Sequence, residues 1–250
     1  KLKKMVEPFI LRRTKSKVLK ELPDKIEHTL MIPFEDTEKK LYLANLSQVN
    51  QALSKHLQME RPDKFAILAM LTRLRQICCE PRILYENITT ASSKLLYCLD
   101  LLETLRENHQ RVLLFSSFTS VLDILEEELI KRRFSYLKLT GNNTKQQRRD
   151  MVQQFQNGLT DVFLISLKAG GTGLNLTAAS AVIHFDPWWN VSAQNQATDR
   201  AYRIGQNQNV QVYKLIMKDS IEEKIQTLQK MKKDLSDHFV EENEGSIYHM

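Results

Sequence analysis

The sequence predicts an α/β fold, a parallel sheet with helices on both faces, and three observations carry that expectation. Short apolar runs of strand length recur at Val112–Phe115, Val162–Ile165 and Ala181–Phe185. The stretches between them place apolar residues at helical spacing, as at Phe118, Val121, Leu122, Leu125 and Leu129. Strands separated by single helices require right-handed crossovers, which a parallel sheet covered on both sides accommodates.

Residues 1–90 read differently. Leu46, Val49, Leu53 and Leu57, then Leu68, Leu71, Leu74 and Ile77, mark two long helices, and the one strand candidate lies near Thr29–Phe34. A helical extension is expected there. From 91 to 218 strands and helices alternate. Tyr136–Leu139 follows the first strand and helix, Gly141 turns the chain, and a helix from about Lys145 buries Met151, Val152 and Phe155 before Gly158 stops it. After the strand Val162–Ile165 come the glycine-rich Ala169–Gly173, the strand Ala181–Phe185, a helix around Ala193–Tyr202 and a strand carrying Val210 and Val212. In residues 219–250, Ser220-Ile221-Glu222-Glu223 reads as a capping box. Ile221, Ile225, Leu228 and Leu235 continue one apolar face of a closing helix. Glu241, Glu242 and Glu244 with Gly245 lack an apolar period and predict a frayed tail.

The 250 residues carry a formal net charge of +6, unevenly spread. Residues 1–30 hold nine Lys or Arg against four acids, the electrostatic footprint of a phosphate-backbone binder or, equally, a solvated helix face. Cys78, Cys79 and Cys98 fit neither a disulfide framework nor a metal knuckle, and the six histidines form no ligating pair, so a reducing compartment and no metal are expected. Apolar runs are too short for a bilayer, and Lys1 opens no signal-peptide pattern. The chain is expected to be a fragment of something longer.

Two segments carry chemistry. In Gln196-Ala-Thr-Asp-Arg200-Ala-Tyr-Arg203-Ile-Gly-Gln206 two arginines stand three apart on the expected helix. Their planar donors match phosphate oxygens, although such a pair also serves as a salt-bridged surface. Ser166-Leu-Lys168-Ala-Gly-Gly171-Thr-Gly173-Leu-Asn175-Leu176 directly follows a buried strand, at the edge where open α/β sheets bind ligands. Its glycines let backbone N–H groups approach phosphate or ribose, or they form an ordinary strand-to-helix turn.

Together these residues resemble the C-terminal, RecA-like lobe of Swi/Snf-family superfamily-two helicase-like ATPases, and the compact helical extension without an obvious nuclear signal favours a bacterial member. Pro8-Phe-Ile-Leu-Arg12-Arg13-Thr-Lys15 with Leu22-Pro-Asp-Lys25 resembles the family's inter-lobe segment. Leu74-Arg75-Gln76-Ile77-Cys78 with Pro81, then Ser93-Lys94-Leu95, resembles the run into the second lobe. Gly141 with Arg148 and Phe155, Ser166–Leu176 (motif five) and Gln196–Gln206 (motif six) extend the likeness.

The resemblance implies that Arg200 and Arg203 act as arginine fingers on the γ-phosphate of ATP. It implies that Gly171, Gly173, Asn175 and Gln206 line the nucleotide side of the cleft. Ser116, Ser117, Thr119, Arg148 and Lys168 would lie along one strand of double-stranded DNA, held through its backbone. Within Asp186-Pro187-Trp188-Trp189-Asn190, Trp189 would sit near the groove and Trp188 in packing. Val191 stands where the family commonly has proline, which loosens the expected turn.

No G-x-x-x-x-G-K-[ST] and no D-E-x-H occurs, since none of the seven glycines precedes a lysine. ATP with Mg²⁺ is therefore expected to be held mainly by an N-terminal ATPase lobe, and this chain alone is expected to be inactive. The implied partners are duplex DNA, that first lobe and a DNA-bound protein complex, with no membrane. The implied compartment is a bacterial cytoplasm, or a nucleus in a eukaryote. A passive basic DNA-binding module and an interaction scaffold are the competing readings.

Overall fold

The computed structural model describes residues 23–57, 63–170 and 173–245. Six strands, β1 (Lys25–Ile32), β2 (Val112–Ser116), β3 (Tyr136–Leu139), β4 (Val162–Ser166), β5 (Ala181–His184) and β6 (Val210–Met217), form one all-parallel sheet in the order β1-β6-β5-β2-β4-β3. The helices among the described residues are α1 (Asp36–Leu57), α2 (Lys64–Cys79), α3 (Ser93–Glu107), α4 (Thr119–Lys131), α5 (Lys145–Gln156), α6 (Leu167–Gly170), α7 (Val191–Thr198) and α8 (Ile221–Gly245). None of them is long and apolar enough to cross a membrane.

Strands β2, β4 and β5 are paired on both sides and covered on both faces, and every residue in them is buried. Continuous apolar runs satisfy that environment, which explains why they stood out in the sequence. Side chains alternate between faces. Val112, Leu114, Val162, Leu164 and Ile183 enter one core with Leu74 and Ile77 of α2, Leu95 and Leu102 of α3 and Leu125 of α4. Leu113, Phe115, Phe163, Ile165 and Val212 enter the other with Phe155 of α5 and Ala197 of α7. Cys78, Cys79 and Cys98 are free and buried in the first core.

The N-terminal segment departs from expectation. Its strand spans Lys25–Ile32 rather than Thr29–Phe34, and it pairs with β6 along its whole length, from Lys25 opposite Val210 to Ile32 opposite Met217. Residues 25–90 are thus built into the sheet and its core, with Val49, Leu74 and Ile77 buried in the same apolar cluster as Val112, Leu114 and Leu164. The cause is a pairing across most of the chain, which no local pattern reports.

Helix ends follow capping chemistry. Asp63 accepts from the N–H groups of Phe65 (2.9 Å) and Ala66 (3.2 Å) to open α2, and Thr144 and Gln147 form a reciprocal capping box at α5. The box expected at Ser220 takes another form: Ser220 Oγ accepts from Glu222 N at 3.1 Å, while the Glu223 carboxylate accepts from Asp219 N at 2.9 Å. Helix α8 continues to Gly245, through the acidic residues expected as a tail. The Pro8–Lys15 motif, most of the basic N-terminal segment, and Gly171 lie outside the described residues.

Candidate functional site

Strands β2 and β4 lie side by side, with Ser116 opposite Ser166 at their C-terminal ends. After β2 the chain leaves toward β3, and after β4 it crosses to β5 on the opposite side of the sheet. Connections that diverge in this way open a crevice beyond the strand ends. Here a cavity of about 520 Å³ is lined by Ser117, Thr119, Thr140, Gly141, Asn142, Ser166 and Lys168, with Asp123 and Lys138 at one side. Lys138 is held by Asp123 (2.8 Å) and Glu126, whereas the Lys168 side chain is exposed.

The crevice gathers three of the residues expected on DNA, Ser117, Thr119 and Lys168, and corrects a fourth. Ser116 is fully buried; its hydroxyl donates to Asp186 Oδ1 at 2.7 Å and accepts from Phe118 N at 3.1 Å. It shapes the turn from inside and has no surface to offer a duplex. Thr119 is exposed at the start of α4, whose N-terminus has no side-chain cap, so neither hydroxyl caps this helix. Arg148 reaches inward, donating to the carbonyls of Asn143 and Thr140 (3.2 Å each) and approaching that of Ala169 at 3.5 Å. It ties the loop after β3 to the segment after β4.

Behind Ser117 stands Arg75 of α2, only 3% exposed. Its Nη2 donates to Ser117 Oγ (2.9 Å), Asp186 Oδ2 (2.9 Å) and the Pro187 carbonyl (3.0 Å). Its guanidinium carbon lies 5.0, 5.4 and 5.8 Å from the ring centres of Phe118, Trp188 and Trp189. Asp186, fully buried, also accepts from Ser117 N at 3.0 Å and from the Ser117 hydroxyl. Both tryptophans are half-buried, so Trp189 is partly free to meet a ligand and partly committed to Arg75. Asn190 accepts from Ser192 N (3.0 Å) and Ala193 N (3.4 Å), which fixes the turn into α7 without the proline that Val191 replaces.

The second cluster joins the glycine-rich segment to the two arginines. Gly170 packs so tightly that a Cβ there would come within 3.0 Å of Phe115 Cε1. Gly173 has a φ of +36° with open space where a side chain would point, and Asn175 beside it is exposed. The Arg200 Nε donates to the Gly170 carbonyl at 3.1 Å, and the Arg200 carbonyl accepts from Leu176 N at 3.0 Å. Motif six is thereby fastened to motif five in both directions.

The arginines do not share a helix face as expected. Helix α7 stops at Thr198, and the following residues run in tight turns, with Ala201 N and Tyr202 N both donating to the Thr198 carbonyl at 3.1 Å. Arg200 is half-buried and Arg203 exposed. Burial, and then the positive charge of Arg203, pull the Arg200 guanidinium below its ordinary range. A cation disfavoured by its surroundings is relieved by an arriving anion. Gln206 is buried, its amide donating to the carbonyls of Thr177 (3.1 Å), Ala179 (2.8 Å) and Ala201 (3.2 Å), so it braces the turn from within.

Two residues central to this geometry were not singled out individually in the sequence. Arg75 and Lys94 each stand on the buried stripe of a helix, Arg75 four before Cys79 and Lys94 four before Cys98. A cation on an apolar stripe is the signal, because it must find a buried partner.

Comparison with known proteins agrees with this architecture. Residues 93–205 match the helicase conserved C-terminal domain, and residues 1–83 match the SNF2-related domain. An uncharacterized ATP-dependent helicase of Mycoplasma pneumoniae is 39% identical over 235 residues, covering 94% of this chain and 22% of its own. Among solved structures, the Sulfolobus solfataricus SWI2/SNF2 ATPase core in complex with dsDNA superposes with a TM-score of 0.74 at 33% identity, over 94% of this chain and 50% of that one. The SWI2/SNF2 ATPase C-terminal domain of the same organism gives 0.70 at 28% identity, over 84% and 87%. The chain spans 22–27% of the length of the first curated relatives it matches. With its six-stranded parallel sheet and both matched domains, the chain belongs to the Swi/Snf family of helicase-like ATPases, as their C-terminal, RecA-like lobe.

Proposed function

We propose that this chain serves as the second motor lobe of an ATP-dependent double-stranded DNA translocase or remodeller. The observation that carries the reading is the two-way fastening of Arg200 to Gly170 and Leu176. It sets the Arg200 guanidinium against a glycine-rich segment at the sheet edge where such folds bind ligands, with Arg203 exposed three residues on.

The residues fit a nucleotide. Arg203 is an exposed cation, Arg200 is anchored beside it, and the open space at Gly173 next to Asn175 leaves room for a phosphate or ribose. ATP, when bound, supplies the phosphoryl group whose transfer to water drives movement. Arg200 and Arg203 would then neutralise charge on the phosphate oxygens, a contribution worth roughly 10³–10⁵ in rate for fingers of this kind. Among the described residues no three His, Cys, Asp or Glu side chains gather as a metal site. A partner lobe with the phosphate loop would hold ATP and Mg²⁺, and this chain alone would not hydrolyse ATP.

The crevice beyond β2 and β4 would hold duplex DNA through Ser117, Thr119 and Lys168, which grip phosphates and read no sequence. Trp189 would stand at the rim of that contact, and Arg148 would shape the crevice wall. Joining the chain to an ATPase lobe that carries the phosphate loop tests the reading. Duplex DNA should stimulate hydrolysis by the joined protein, while this chain alone stays at background. Absence of stimulation, or hydrolysis by the isolated chain that Arg203→Ala abolishes, contradicts it.

A further inference from the structure

Resting on the reading of the β2/β4 crevice as the duplex-facing surface, we propose that Arg75 is a positioning residue. It sets the turn at Ser117 and the loop at Trp188–Trp189 in register for DNA without touching the DNA itself.

The observations come from three parts of the chain remote in sequence. Arg75 belongs to α2, Ser117 to the turn after β2, and Asp186–Trp189 to the loop after β5. One guanidinium nitrogen joins all three, through Ser117 Oγ, Asp186 Oδ2 and the Pro187 carbonyl. The flat group is flanked by Phe118, Trp188 and Trp189, so both tryptophans of the sequence lean on a single cation. Its counter-charge, Asp186, reaches back to the Ser117 N–H and hydroxyl, closing a ring of bonds around the turn.

Simple stabilisation would not call for this arrangement. A buried ion pair is a poor source of net stability, and apolar residues of similar size often replace one without loss. Here the pair stands directly behind a crevice-lining hydroxyl, and Arg75 Nε is buried with no hydrogen-bond partner. The fork is spent on orientation at the expense of its own full satisfaction. Lysine cannot substitute, because a point cation can keep Asp186 but cannot lie flat among three rings while reaching Ser117.

The test uses the full 250-residue chain, a short duplex oligonucleotide and the intrinsic fluorescence of Trp188 and Trp189. Arg75→Lys should fold, with emission displaced from wild type. Duplex affinity at fixed salt should fall about tenfold, as expected for losing a charged hydrogen bond that sets a contact. The dependence of affinity on salt should stay unchanged, since no phosphate contact is removed. Should that variant fail to fold, the pair Arg75→Gln with Asp186→Asn removes both charges together, leaves no lone buried ion, and should show the same loss.

A folded variant with wild-type duplex affinity overturns the inference while leaving the proposed function intact. A shrunken salt slope also overturns it, by making Arg75 a phosphate contact in its own right. If the wild-type chain itself does not bind duplex, the reading of the crevice fails and takes the inference with it.

Discussion

Lys94 on α3 and Glu222 at the start of α8 form an ion pair in the middle of the core, both fully buried, with the ammonium 2.5 and 2.6 Å from the two carboxylate oxygens. The amine donates to both carboxylate oxygens at once. Burial alone would pull Lys94 down, but Glu222 and the neighbouring Cys79 and Cys78 outweigh it and hold Lys94 above its ordinary range. Glu222 also accepts from Met217 N at 2.9 Å, so the pair pins the start of α8 against the end of β6.

Lys94→Met should therefore destabilise the chain by about 3–5 kcal/mol, because it strips a fully buried carboxyl of its counter-charge. Lys94→Met with Glu222→Leu should recover most of that loss. Denaturant midpoints of the single and double variants check this, and additive effects would contradict a coupled pair.

His184 sets an acid limit on stability. It is buried, stacked on Phe115 with ring centres 5.7 Å apart, and its Nε2 lies 2.9 Å from Thr198 Oγ1. Burial, and then the charge of Lys214, hold its imidazole down from 6.5 to about 3. The folded state thus keeps His184 neutral where the unfolded chain takes up a proton. Its contribution is complete above pH 6.5 and is lost as pH falls toward about 3, at ~1.4 kcal/mol per pH unit. His184→Phe should flatten the wild-type loss of stability between about pH 6.5 and 5, read from urea midpoints. An unchanged slope would show that other groups set the limit.

Gly170 should resist substitution although it lies in an exposed-looking motif. Gly170→Ala places a methyl against Phe115 and Ile165 in a packed core, at a cost of about 1–3 kcal/mol. The same change would push the carbonyl that Arg200 grips. Thermal unfolding measures the first effect, and a variant as stable as wild type contradicts the packing argument.

Lys168→Ala should weaken duplex binding for all sequences alike and reduce the salt slope by about one unit, the signature of one lost phosphate contact. Fluorescence anisotropy at several salt concentrations checks it. Loss confined to one sequence would point to base readout instead.

What the sequence revealed and what it hid follow from the range of the interactions involved. Tyr136–Leu139 and the helix from about Lys145 were readable because an apolar strand, the Gly141 turn and the Gly158 stop are all local. The buried strands β2, β4 and β5 announced themselves as apolar runs. Strand β1 did not, because its assignment to the sheet depends on β6 at the far end of the chain. Arg200 and Arg203 were legible as a pair, yet the helix expected beneath them ends at Thr198, where Arg200 turns to meet Gly170. Ser116 and Gln206 match motif positions in name, but their burial follows from Asp186 and from three backbone carbonyls. Such partners exist only after folding.

The most direct measurement of the central claim is steady-state ATP hydrolysis, with saturating duplex, by the chain joined to an ATPase lobe that carries the phosphate loop, with Arg203→Ala in this chain. The finger role predicts a fall in kcat of at least about 10²-fold with duplex affinity nearly unchanged, and poor rescue by Arg203→Lys. Normal hydrolysis together with lost DNA binding would contradict it and move this turn from the nucleotide cleft to the DNA surface.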